Sequence, residues 1–210
     1  MNTEKLLDLI RKEYTGKTKE KIDNKLKEFK EIRKNGPKAI FNELCFCLLT
    51  ANFQAERSIV IQEQIGDGFV EWSQEQIARK LRALGHRFPN KRAKYIVLAR
   101  KKYDAIIEVV RKENSEHEKR EWLVKNIKGI GMKEASHFLR NIGYENVSII
   151  DFHIIDLLVR YKIIEKPKTL TKRKYLKIEE ILKEIGKKVE LSLAALDLVL
   201  WKIETGKILK

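Results

Sequence analysis

Lys133 and Asp151 are the two side chains of this sequence whose types and setting could do covalent chemistry together. A lysine amine kept partly neutral by desolvation or by neighbouring cations is a nucleophile and forms Schiff bases with carbonyl carbons. A carboxylate can help deprotonate such an amine, and it can stabilise positive charge developing on a reacting carbon. Each residue also has a plainer reading. Lys133 could be a solvated surface lysine, and Asp151 could be the N-cap of the amphipathic stretch that contains Ile154, Ile155, Leu157 and Leu158.

The elements that must position these groups are helical. Lys133 follows the glycine turn Ile127-Lys128-Gly129-Ile130-Gly131-Met132. Periodicity predicts one helix over 118–126, anchored by Trp122 and Leu123, and another over 132–141 with Ala135, Phe138, Leu139 and Ile142 at helical spacing. Gly143 suits a C-terminal cap. Gly129 and Gly131 permit a tight reversal and a close approach of backbone to a ligand. The peptide N–H groups opening the second helix are unsatisfied and lie at the positive end of its dipole, so a phosphate is their natural partner. Such contacts read backbone rather than base sequence. Taken alone, the glycine turn is equally a plain corner between two helices.

A lysine behind a glycine hairpin, followed by a carboxylate in Ile150-Asp151-Phe152-His153, resembles the active-site signature of the helix-hairpin-helix DNA glycosylase/lyase superfamily. The resemblance implies that Lys133 attacks C1′ of a deoxynucleotide as its base leaves, with Asp151 as activating carboxylate. Within the superfamily the chain is similar to the type 2 8-oxoguanine DNA glycosylases, an archaeal and bacterial branch. The similarity runs through Glu43 to Phe53, Leu84-Gly85-His86-Arg87-Phe88, Lys91-Arg92-Ala93, Ile127 through Gly143, and Thr205 to Lys210. Two positions depart from the pattern. Ile149-Ile150 stands where the superfamily has Gly-Pro, and Phe152 replaces a small or basic residue, which leaves the local DNA contact open.

The same resemblance populates a base pocket, because an enzyme that removes a stacked base must flip it out, fill the gap and grip the ring. Asn52 matches the gap-filling amide, and Phe88 and Trp201 match aromatics that stack on the oxidised purine. Lys210 is expected to fold back into the pocket and to help separate 8-oxoguanine from guanine, and its removal is expected to leave stability unchanged. His137, one helical turn beyond Lys133, could line the same pocket. Lys128, Gly129 and Gly131 are the expected DNA-backbone contacts, and the carbonyls of Lys125, Ile127 and Ile130 could hold a monovalent cation. Without the family, Trp201 reads as core, Asn52 as a polar cap and Lys210 as a frayed end.

Whole-chain properties fit a polyanionic partner. With 45 Lys+Arg against 30 Asp+Glu, the net charge is +15, which steers nucleic acid in from a distance. Basic residues gather at Lys166, Lys168, Lys172, Arg173, Lys174 and Lys177, a possible phosphate track. Cys45 and Cys47 are the only cysteines and read as buried thiols; with none after Cys47, no iron–sulfur cluster is expected. No cofactor is expected in the chemistry. With no apolar run of membrane length and no signal-peptide pattern, the expectation is a monomeric cytoplasmic prokaryotic protein working at the nucleoid.

The fold class expected is all-α, with helices over 3–14, 18–33, 38–51, 54–65, 74–83, 90–101, 103–112, 117–126, 132–142, 151–160, 172–186 and 191–204. The resemblance implies two subdomains around an active-site cleft: a six-helix unit over 36–138, with the hairpin at about 118–142, and a second unit built from 1–35 and 139–210. The function this resemblance implies is a bifunctional glycosylase/β-lyase acting on 8-oxoguanine in duplex DNA. A pyrimidine-damage glycosylase resembling endonuclease III without its cluster, and a non-catalytic DNA-binding module, are the alternatives.

Overall fold

The computed structural model describes residues 2–210, and among them every regular element is a helix. In chain order these are α1 Asn2–Glu13, α2 Gly16–Lys34, α3 Pro37–Thr50, α4 Ala55–Ile65, α5 Gly68–Glu71, α6 Gln74–Ala83, α7 Pro89–Arg100, α8 Tyr103–Arg111, α9 Glu116–Asn126, α10 Met132–Asn141, α11 Phe152–Arg160, α12 Lys172–Lys188 and α13 Leu193–Thr205. The one helix that periodicity does not anticipate is α5. At four residues it is too short to show a repeat, and its Gly68 is there because a Cβ would sit 2.6 Å from the Trp72 ring. The stretch 147–150 is extended but pairs with no strand.

Two hydrophobic clusters organise these helices. One draws on Ile40 through Val147, with the wholly buried Phe41, Phe46, Phe69 and Phe138 at its heart and both cysteines within it. The other joins Leu6, Leu7, Ile10, Ile22 and Phe29 from the first two helices to Ile150, Leu157, Leu158 and the apolar faces of α12 and α13. Chain segments far apart in sequence therefore share a core. Buried polar side chains link the clusters: Arg120 of α9 donates to both carboxylate oxygens of Glu179 on α12, and Glu179 also takes the Ser148 N–H at 2.8 Å. Breaking such a pair from one side is strongly destabilising, because the other charge stays buried.

Local sequence explains where the site-bearing helices begin and end. Ser115 caps α9 and Glu118 returns the bond to its N–H, a reciprocal capping box that starts the helix two residues before the expected 118. At the far end of α10, Gly143 adopts φ +88° while its N–H and that of Tyr144 bond back to Arg140 and Leu139, which closes the helix in a Schellman turn. Only glycine fits there, since a Cβ would lie 2.8 Å from the Lys30 backbone.

Candidate active site

The hairpin joins α9 to α10 through Ile127–Gly131. Gly129 takes φ +92° with the Tyr95 ring against its α-carbon, where a Cβ would lie 2.3 Å from the ring. Gly131 is the N-cap of α10, and its N–H is engaged by Glu134 Oε2 at 3.2 Å. A phosphate seated on the Gly131 N–H would displace that carboxylate. Lys128 is exposed beside Lys91, Lys94 and Tyr95 in an adjoining groove, so cations flank the hairpin where backbone phosphates would run.

Lys133 lies in the first turn of α10 and faces a cleft of about 890 Å³, with no ion-pair partner among the described residues. Asp151 faces the same cleft from the N-cap of α11, where its Oδ1 accepts the Ile154 N–H at 3.1 Å. The capping role and a place beside Lys133 are therefore held by one carboxylate at once. Its second oxygen is left for other work.

The same cleft is lined by a group that motif reading misses. Asp197 of α13 is buried and ion-paired with Arg140, whose guanidinium also donates to Asn141 Oδ1 at 2.8 Å. Burial pushes the Asp197 carboxyl up to about 6 against the pull of Arg140, with the negative charge of Asp151 adding to the rise and Lys133 opposing it. The signal that could have found Asp197 is its isolation as a lone charge inside Leu193–Trp201, since buried carboxylates are rare unless partnered.

That burial has a pH consequence. The folded-state value, about 6, lies above the ordinary 3.8 of a free aspartate, so folding favours the protonated form, and this stabilising contribution is lost as pH rises through about 6. Asp197→Asn removes the term. Thermal melts at pH 4.5 and 7.5 should show wild type losing stability relative to the variant as pH rises; parallel behaviour would mean that Asp197 is not perturbed in the fold.

The other expected pocket residues divide. Trp201 lines the cleft with its buried indole N–H unpartnered, rather than sitting in the core. His137 lines it too. Burial, with Arg140 and Lys133 nearby, holds His137 well below the ordinary histidine value against the opposing pull of the Lys210 backbone, so the ring is neutral at pH 7. Asn52 is exposed at the rim with φ +58°. Lys210 lines the cleft and is not a frayed end: its ammonium is 3.0 Å from Glu43 Oε2. Its removal would take the one cation from a buried carboxylate that keeps the Gln62 and Asn141 donors.

Phe88 is placed differently from expectation, outside the cleft lining. Its N–H donates to His86 Nδ1 at 3.0 Å, its ring lies under the guanidiniums of Arg87 and Arg92, and His86 Nε2 is held by the Leu49 carbonyl at 3.1 Å. None of the basic residues at 166–177 lines the cleft either; Lys166 pairs with Asp156 and Lys172 with Glu121. Phe152, by contrast, is on the lip and 65% exposed. Its ring stacks on His153 at 3.9 Å between centroids, and His153 meets Trp201 edge to face at 4.9 Å, so three rings run from the lip to the floor.

A lysine and a carboxylate facing one cleft, behind a glycine hairpin in a helical chain, resemble the arrangement of the helix-hairpin-helix DNA glycosylase/lyases. Comparison with known proteins narrows this. Residues 22–191 match the family described as 8-oxoguanine DNA glycosylase. The chain is 49% identical over 211 residues to the 8-oxoguanine DNA glycosylase/AP lyase of Korarchaeum cryptofilum, covering all of both chains. It is 50% identical to that of Methanocaldococcus jannaschii, covering 98% of this chain and 99% of the other. Among solved structures, the M. jannaschii 8-oxoguanine glycosylase/lyase in complex with a 15mer DNA containing 8-oxoguanine superposes with a TM-score of 0.94 at 51% identity, covering 98% and 99%. The Thermotoga maritima 8-oxoguanine DNA glycosylase superposes with a TM-score of 0.93 at 41% identity, covering 99% and 100%. The chain belongs to the 8-oxoguanine DNA glycosylase family.

Proposed function

We propose that this protein excises 8-oxoguanine from duplex DNA and then cleaves the strand through a Schiff base on Lys133. The observation that carries this reading is the shared cleft of Lys133 and Asp151, in a chain half identical over its full length to named glycosylase/AP lyases. The lesion nucleotide is extruded into the cleft. As the glycosidic bond breaks, its electron pair leaves with the base, and the Lys133 amine attacks C1′. Asp151 stabilises the positive charge on the sugar and accepts a proton from the amine. Ring opening then gives an imine between Lys133 and the sugar. Loss of a C2′ proton expels the 3′ phosphate.

Trp201 and the neutral His137 face the flipped base, Lys210 closes the same wall, and Asn52 stands at the rim where the vacated stack needs filling. No cofactor takes part in these steps. The carbonyls of Lys125, Ile127 and Ile130 would suit a monovalent cation, since neutral oxygens are the donors such an ion takes; the Ile127 oxygen also receives the Ile130 N–H at 3.2 Å. Bound there, the ion would add positive charge beside the DNA phosphate.

A panel of duplexes tests the substrate assignment. Excision should be fastest on 8-oxoguanine and at least about 10²-fold slower on guanine and on thymine glycol, as hydrogen-bonding pockets discriminate strongly; preference for thymine glycol would move the protein to the pyrimidine-damage class. Phe152 carries a further expectation. An exposed ring at the mouth of a DNA-binding cleft can stack on an unpaired base, which contributes roughly 1–3 kcal/mol. Phe152→Ala should therefore weaken binding to a lesion duplex about tenfold with an unchanged melting temperature. Wild-type affinity would leave Phe152 without a DNA contact.

A further inference from the structure

Glu43 is the one charged residue between Ala39 and Thr50 of α3, buried to 3% side-chain exposure in an otherwise apolar helix. It does not line the cleft. Its carboxylate accepts from Lys210 Nζ at 3.0 Å, from Gln62 Nε2 at 3.1 Å and from Asn141 Nδ2 at 2.7 Å. Gln62 closes the ring by accepting from the same Lys210 ammonium through Oε1, and the ammonium lies 4.5 Å from the Phe46 ring centroid. On its other side, Asn141 takes the Arg140 guanidinium on Oδ1, and Arg140 pairs with Asp197 on the cleft floor. One buried carboxylate thus supports two walls of the cleft.

The contact with the 206–210 segment is the more consequential. Gly206 turns the chain out of α13 with φ +74°, after which Leu209 and Lys210 line the cleft. Besides Lys210, the ion pair that this segment makes is Lys207 with Glu56, and both of those side chains are more than half exposed. Such a surface pair holds little. Ile208 packs against the second hydrophobic cluster; a lysine stem left to itself extends into water, yet the Lys210 side chain is only 19% exposed, so the buried anion is what holds that ammonium in place.

We propose that Glu43 is a positioning residue of the base pocket: by anchoring the Lys210 ammonium it holds the 206–210 segment as one wall against the extruded base. The inference rests on the functional reading above. Because the wall that Lys210 builds is one that the base meets, Glu43 should matter more for removing a base than for cleaving a site that has already lost one. Glu43→Gln is the matching substitution. It keeps the shape but places an NH₂ group against either the Lys210 and Gln62 donors or the Asn141 donor, so the anchor fails.

The experiment measures single-turnover excision of 8-oxoguanine, and strand cleavage at a preformed abasic site, for wild type, Glu43→Gln, Lys210→Met and the double variant. Each single substitution is expected to lower excision about tenfold or more. The double variant should be no slower than the worse single one, because both remove the same contact. Glu43→Gln should lose much less on the abasic site than on 8-oxoguanine. Wild-type excision by Glu43→Gln, multiplying losses in the double variant, or an equal loss on the abasic site would each overturn the inference. Should circular dichroism show Glu43→Gln unfolded, folded Lys210→Met decides, and wild-type excision by it overturns the proposal. A wild-type protein inert on 8-oxoguanine would instead overturn the functional reading itself.

Discussion

Lys133→Gln should abolish strand cleavage on 8-oxoguanine duplex while leaving much of the DNA affinity in place. Glutamine has a similar reach but a non-nucleophilic amide, so it cannot displace the base or form an imine. The loss should exceed 10³-fold, on the scale of removing a covalent nucleophile. Binding should persist because it draws on other groups: the N-terminal end of α10, the cations Lys91, Lys94 and Lys128 beside the hairpin, and a chain charge of +15. Since Lys133 is half-buried at the cleft and holds no partner, folding should not change. Gel-shift titration and a cleavage time course check both halves. Retained cleavage would remove Lys133 from the chemistry, and joint loss of binding would make it a phosphate contact.

The second large effect concerns Asp151→Asn. Asparagine caps a helix about as well as aspartate, so the bond to the Ile154 N–H survives and α11 should keep its start. What disappears is a negative charge facing the cleft. Excision should fall on the order of 10²-fold or more, the usual cost of removing an electrostatic stabiliser of a charged transition state, with the melting temperature near wild type. Asp197 supplies an internal check: Asp151 raises its pKa, so in the variant the Asp197 carboxyl should titrate lower. Near-normal excision would leave Asp151 as a cap alone.

The hairpin and the two candidate groups beside it were legible in the sequence because local rules specify them. Glycines at a reversal, an N-cap aspartate and helical apolar spacing are all short-range signals, and Lys133 and Asp151 both line one cleft. Residues whose role depends on distant partners were not legible. Asp197 finds Arg140 across 57 positions and Glu43 finds Lys210 across 167, separations that no periodicity encodes. Their visible trace is a single charge in an apolar helix, which says that a partner exists without saying where. Phe88 is not among the residues lining the cleft; its N–H bonds to His86 and cations lie over its ring. The basic run at 166–177 does not point to the cleft, for a simpler reason. Charge counts carry no direction, and two of those lysines are spent on surface ion pairs.

The most direct measurement is borohydride trapping of the wild-type protein on a duplex containing 8-oxoguanine, followed by peptide mapping of the reduced adduct. Borohydride fixes an imine only where an amine has reached the sugar carbon, so the modified residue identifies the nucleophile without any substitution. The expected result is an adduct on the peptide that carries Lys133, formed on lesion duplex and not on undamaged duplex. An adduct on another lysine, or no adduct from protein that still releases the base, would contradict the account.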